Sequence, residues 1–237
     1  MSLRSLVLFA LGATLCLTNW AAAAGPAEYA FRWEVVKGGP PNADEVAAVL
    51  QLQPGKAKEY QVLYFDVTQP GPVPAEYKAL GRERGPSGGK PDATYKVRGP
   101  EPVPPELLTW KCPLAGASAS KAEVDVGFQG LNQVKRSFSV SCTLDKRGLK
   151  ASLPTGYSAP TKGCVSTMER TKAESASLEV KVERWSLPKG RVVIEVSMAG
   201  SDSKADLERF RGKVVKPLID RKVVPLEESK TELGSDC

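Results

Sequence analysis

The chain has 237 residues, 41% of them hydrophobic and 25% charged, with 33 Lys and Arg against 27 Asp and Glu and a formal net charge of +6. That is enough apolar material for a packed core, and it excludes disorder as the main state. There is no histidine, which excludes imidazole-activated nucleophiles, imidazole metal ligation and imidazole pH switching. Any chemistry must run on carboxylates, Lys, Arg, Tyr, Ser or a metal held by oxygen.

Arg4 precedes an apolar run over residues 5–17, and Ala21, Ala22, Ala23 and Ala24 follow, the pattern of a secretory signal with a small-residue cleavage site. The run is shorter than the roughly 20 residues of a spanning helix, and no second such run follows. Leu15 stands where a lipoprotein signal wants a small residue before Cys16. Cleavage after Ala24 leaves 213 of the 237 residues and a net charge of +5, because the leader carries one basic and no acidic residue. These features predict a periplasmic or secreted protein without a transmembrane segment.

The remaining cysteines, Cys112, Cys142, Cys164 and Cys237, are even in number, and in an oxidising compartment they predict two disulfides. All three pairings are open, with Cys112–Cys142 and Cys164–Cys237 mildly favoured because they join nearer neighbours. A metal cluster would want closer spacing than the shortest gap here, 22 residues.

In chain order, residues 31–36 read as a short strand. Asn42 and Glu45 then stand at capping spacing before Val46, Val49 and Leu50 on one helical face. Residues 60–67 are aromatic and β-branched and predict a strand. Between Gln69 and Pro105 lie nine of the 19 prolines and six of the 21 glycines, which marks long loops around two strand pieces, 79–84 and 93–98, in a loose hairpin. Clean two-residue alternation predicts antiparallel strands over 122–128, 137–144, 178–184 and 192–198. Leu207, Phe210, Val214 and Leu218 recur at helical spacing behind cap candidates at 201–203, with Pro217 expected to kink or end the helix. A last extended piece is expected over 223–232. No repeat or linker appears, so residues 25–237 are expected to form one α+β domain, mostly antiparallel β.

The polar parity of almost every strand is charged: Arg32 and Glu34, Arg82 and Arg84, Lys96 and Arg98, Glu123 and Asp125, Glu179, Lys181 and Glu183, and Glu195. Two readings are open. These faces are the solvated sides of a sandwich, or they point into a closed barrel where Lys and Arg hold a polyanion and carboxylates hold a divalent ion. Trp33, Trp110 and Trp185 are assigned to core or barrel wall.

The order of elements resembles the CYTH, or triphosphate tunnel, family of eight-stranded barrels. Arg32-Trp33-Glu34 is similar to the opening strand of that family, although Val36 replaces its lysine. Tyr64-Phe65-Asp66 resembles the segment after the first helix, Arg82-Glu83-Arg84 the Leu-Arg-x-Arg strand, and Thr94-Tyr95-Lys96 its partner. Glu123-Val124-Asp125 is similar to the acidic strand that follows. Glu195-Val196-Ser197 resembles the late Glu-x-Glu strand, with Ser197 where a second acid usually stands, and Ser229-Lys230-Thr231-Glu232 resembles the closing segment.

The resemblance implies a closed tunnel in which Arg32, Arg82, Arg84, Lys96, Arg98 and Lys230 contact phosphate and Glu34, Glu123 and Glu195 hold Mg or Mn. Guanidinium forks suit phosphate oxygens and hard ions suit carboxylates. It implies an exported binder, or a metal-dependent hydrolase, of a phosphorylated anion such as triphosphate or polyphosphate. The competing expectation is a non-enzymatic secreted β-rich protein that binds another protein or an anionic surface. Nucleic acid is disfavoured as a partner, since no dense basic stripe with stacking aromatics occurs. Subunit number is not legible.

Overall fold

The computed structural model describes residues 25–67, 75–118, 120–146, 148 and 165–235. The proposed leader, Cys164 and Cys237 lie outside the described residues.

Strand β1 (Pro26–Glu34) opens the fold, and a 3-10 turn (Val35–Lys37) leads to helix α1 (Ala43–Leu50). Asn42 caps α1 as its spacing predicts: its Oδ1 accepts from the Glu45 amide at 2.9 Å and its Nδ2 donates to the Glu45 carboxylate at 3.1 Å. There follow β2 (Gln53–Pro54), β3 (Lys58–Asp66), β4 (Lys78–Gly85), β5 (Asp92–Gly99), the one-turn helix α2 (Pro105–Leu108), β6 (Lys121–Phe128) and β7 (Val134–Leu144). Next come β8 (Val165–Glu174), β9 (Glu179–Ser186) and β10 (Val192–Ser201), and then α3 (Lys204–Phe210), a π turn (Arg211–Val215), α4 (Lys216–Asp220) and α5 (Lys230–Ser235). Pro217 falls in the first turn of α4, just past the π turn, so it accompanies a change of pitch and does not end the helix.

The strands form a closed mixed barrel in the order β8-β3-β4-β5-β7-β6-β1-β10-β9, sealed by pairing of β8 with β9, while β2 lies outside. Nine strands close the wall where the resemblance implies eight. The added strand is β8, which has no counterpart among those read from alternation. One pairing, β1 with β6, is parallel, and the others are antiparallel. β4 and β5 form the predicted hairpin. The segment read as extended at 223–232 is instead irregular up to Ser229, and helix α5 begins at Lys230.

The apolar parity of the wall faces outward and is covered. Ala27, Tyr29, Phe31 and Trp33 of β1, Val124, Val126 and Phe128 of β6 and Val180 and Val182 of β9 share a core with Val46 and Ala47 of α1 and with Phe210, Val214, Val215 and Leu218. Phe210 stacks on Tyr29 at 6.0 Å and lies 5.4 Å from Phe128. The segment after α2 is fastened across β5 and β7 by Trp110 stacking on Tyr95 at 6.1 Å and by the Cys112–Cys142 disulfide, with Cα atoms 5.9 Å apart.

No helix among the described residues is long and apolar enough to cross a membrane.

Candidate anion-binding lumen

With the apolar parity turned outward, the alternate residues of each strand must face the lumen, because successive side chains project to opposite sides of a sheet. The structure therefore brings together Arg32, Arg82, Arg84, Lys96, Arg98, Glu123 and Glu195 on one concave surface, and α5 adds Lys230. The side chains of Arg98, Lys230 and Lys96 keep 26%, 19% and 18% of their surface accessible, so the lumen admits solvent. One end is apolar: Val62, Tyr64, Met168, Trp185 and Val193 pack there with Leu226 and Leu233 of the closing segment.

The centre of the lumen is a continuous ion network. Arg32 of β1 pairs with Glu195 of β10. Lys230 Nζ donates to Glu195 at 2.6 Å and to Glu183 of β9 at 2.9 Å, and Arg170 Nε of β8 donates to Glu183 at 2.8 Å. Burial pushes the Glu183 and Glu195 carboxyls up, but the surrounding cations outweigh it. Lys230 and Arg170 hold Glu183, and Lys230 and Arg32 hold Glu195, below the usual carboxylate range.

A second group lies on β5, β6 and β7. Asp125 accepts from Arg98 Nε at 3.0 Å, Lys96 Nζ at 3.3 Å and Ser139 Oγ at 2.9 Å. Glu123 sits 2.5 Å from Lys121 Nζ and 3.9 Å from Lys96 Nζ. Burial opposes ionisation of Asp125, and the charges of Lys96 and Arg98 overcome it, so its carboxyl titrates well below the normal range. Burial and the neighbouring Arg98 charge lower the Lys96 pKa despite Asp125 and Glu123.

A third group is cationic, and among the described residues only Arg170 in it has an acidic partner, Glu183. Arg84 of β4 and Arg170 of β8 lie over the Tyr60 ring, at 5.5 and 5.7 Å from its centroid. Arg82 projects from the same side of β4, and its Nη2 donates to Thr94 at 3.2 Å. Among the described residues neither Arg82 nor Arg84 makes an ion pair with a carboxylate. Burial, together with the repelling charges of Arg82 and Arg170, drives the Arg84 pKa down to about 10. Arg82 Nε, the Tyr64 hydroxyl and the Ser166 hydroxyl, all turned to the lumen, are buried without a hydrogen-bond partner among the described residues. Buried polar atoms without partners are uncommon, and here three occur on the adjacent strands β8, β3 and β4.

The carboxylates predicted to hold a metal are not brought to one point. Glu34 is taken by Arg191, at 2.8 Å, and by Lys37 at the end of β1. Glu195 is saturated by Arg32 and Lys230. Glu123 alone joins an acidic group, with Glu28 and Asp125, whose carboxylate oxygens lie within 4.8 Å of one another. Three carboxylates are a donor set that fits Mg or Mn. Asp125 and Glu123 share their oxygens with Lys96, Arg98 and Lys121, whereas Glu28 has no ion pair among the described residues.

Arg170, Glu183, Asp125, Glu28 and Tyr64 also face the lumen and are not among the contacts predicted from the sequence. Glu183 and Asp125 were readable from their parity. The placement of Lys230 also had a signal: Ser229 and Glu232 have capping-box spacing, and Ser229 Oγ accepts from the Glu232 amide at 3.2 Å while the Glu232 carboxylate accepts from the Ser229 amide at 2.7 Å. That box starts α5 at Lys230.

No protein-family model matches the chain, and no curated protein matches it. Among solved structures it is similar to the PH1012 protein of Pyrococcus horikoshii OT3, with a TM-score of 0.46 at 10% identity over 87% of this chain and 98% of that one. It is also similar to a conserved hypothetical protein of Pyrococcus furiosus, with a TM-score of 0.44 at 13% identity over 87% and 99%. A third similar structure is a candidate adenylate cyclase of Vibrio parahaemolyticus, with a TM-score of 0.45 at 13% identity over 88% and 98%.

Proposed function

We propose that the lumen binds a short phosphorylated anion of the triphosphate or polyphosphate type, with Arg82, Arg84 and Arg170 as the main phosphate contacts and Lys96 and Arg98 beside them. One observation carries this reading: Arg82 and Arg84 stand inside a closed barrel without carboxylate partners among the described residues, next to the unpartnered Arg82 Nε, Tyr64 and Ser166 donors. Half-buried cations that repel one another without an acid between them are costly, and a multiply charged anion would relieve the repulsion while filling the open donors. Calorimetric titration with tripolyphosphate tests it. We expect saturable 1:1 binding that is lost in the Arg82→Ala/Arg84→Ala variant; absence of binding, or equal binding by that variant, rejects the reading.

Metal-dependent hydrolysis is the finer form of the proposal. Glu28, Glu123 and Asp125 would hold the Mg or Mn ion, which would supply positive charge to the phosphate oxygens. Phosphate release from tripolyphosphate with Mg2+ or Mn2+, abolished by EDTA and by Glu28→Gln, is the expected result. A protein that binds tripolyphosphate and releases none under either metal is a binding module. Export through the leader, in keeping with the Cys112–Cys142 disulfide, belongs to the same proposal, and fractionation of expressing cells tests it.

A further inference from the structure

Glu183 and Glu195 face each other in register on β9 and β10, and each is 1% exposed. Two adjacent buried carboxylates demand a bridging cation. The bridge is Lys230, with Nζ 2.9 Å from Glu183 Oε2 and 2.6 Å from Glu195 Oε1. The other oxygens are also occupied: Arg170 holds Glu183 Oε1, Arg32 holds Glu195 Oε2, and Trp185 Nε1 donates to Glu183 Oε2 at 3.0 Å. The ammonium further lies 5.3 Å from the centre of the Trp185 ring.

Lys230 comes from a separate segment that is placed firmly. It is the first residue of α5, behind the Ser229 and Glu232 capping box, and Leu226 and Leu233 bury on either side of it against Trp185 and Tyr64. Gly234 lies so close to Tyr64 that a Cβ there would sit 2.8 Å from the ring, which ties the helix to the wall of β3.

We propose that Lys230 is a tethered replacement for a divalent cation: its ammonium occupies the position between Glu183 and Glu195, keeps metal off this pair, and leaves a latent divalent-cation site when it is withdrawn. A compact ammonium supplies one charge and up to three donors without needing a metal supply, and it lies in the same lumen that the phosphate reading assigns to the anion. The inference rests on that reading only for the identity of the lumen's ligand.

The test counts Mn2+ on the full chain in the absence of phosphate, by the paramagnetic resonance of the free ion, for wild type, Lys230→Ala, Lys230→Gln and Lys230→Ala/Glu183→Gln. We expect each single variant to bind one Mn2+ per chain more than wild type, and the added ion to vanish in the double variant. An unchanged count in both folded single variants overturns the proposal, as does an added ion that survives Glu183→Gln. If a variant is too unstable for counting, the shift of its melting temperature with Mn2+ is read instead: a shift larger than that of wild type supports the site, and an equal one overturns it. Tripolyphosphate calorimetry of the wild type in EDTA runs beside it, so a failed phosphate reading shows there and leaves the Mn2+ count as an independent result.

Discussion

The outer and inner faces of this barrel wall are made from alternate residues of the same strands, yet they obey opposite rules. On β1, Tyr29, Phe31 and Trp33 point outward into a dry core under α1, α3 and α4, while Glu28, Arg32 and Glu34 point inward to a wet, charged lumen. The outer face holds the molecule together by area removed from water, about 25 cal/mol per Å2 of apolar surface. The inner face holds its shape through paired charges, each of which must recover the cost of leaving water. Stability and ligand binding are thus placed on separate sides of one sheet, and substitutions should separate them.

The largest effect is expected on the outer face. Phe210 is fully buried between Tyr29 and Phe128, and Phe210→Ala should cost about 3–5 kcal/mol through lost burial and the cavity left behind. Urea unfolding measures it, and a loss below about 1 kcal/mol would mean that the helical layer is not part of the cooperative core.

The inner face offers the converse. Arg82→Ala/Arg84→Ala should abolish measurable tripolyphosphate binding, since each charged hydrogen bond contributes about 1.5–3 kcal/mol. Folding should scarcely suffer, because Arg84 is repelled by Arg82 and Arg170 and pairs with no acid among the described residues. A fall in unfolding free energy as large as that of Phe210→Ala would break the division between the faces.

Acid should act on the lumen first. Glu183, Glu195 and Asp125 are held below their ordinary values in the fold, so as the pH falls the unfolded chain takes up protons before the native one does. Their contribution is fully present above the unfolded carboxylate values, about 4, and is lost progressively as the pH drops through the lowered native values. Stability should be level between about pH 5 and 7 and fall below that, with a shallower fall in Glu183→Gln. An identical slope in wild type and variant would remove Glu183 from this account.

The smallest effect lies away from both faces. Asn42→Ala removes the cap of α1 and should cost about 1 kcal/mol in thermal unfolding, leaving tripolyphosphate affinity unchanged. A change in affinity would show that α1 reaches the lumen through the wall.

Local chemistry made much of this legible in the sequence. Two-residue alternation marks β6, β7, β9 and β10, the Asn42 and Glu45 pair marks the start of α1, and the nearness of Cys112 and Cys142 in sequence favours the disulfide that forms. β8 escaped because its buried residues are Ser166, Met168, Thr171 and Ala173, too polar and too small for an apolar stripe to show. The helix α5 escaped because six residues are too few for helical periodicity, although the Ser229 and Glu232 box was present.

The sequence by itself determined which residues share a face, since alternation is a property of the extended chain. Only the tertiary structure decided which face is inside. A period of two is the same for a sandwich with solvated charges and for a barrel with charges in its lumen, and the choice follows from closure of β8 on β9 and from the helices that cover the apolar side. The ion partners were decided there too. Glu183 and Glu195 come within reach of Lys230 because strands and helix far apart in the chain converge, and no local spacing encodes that distance.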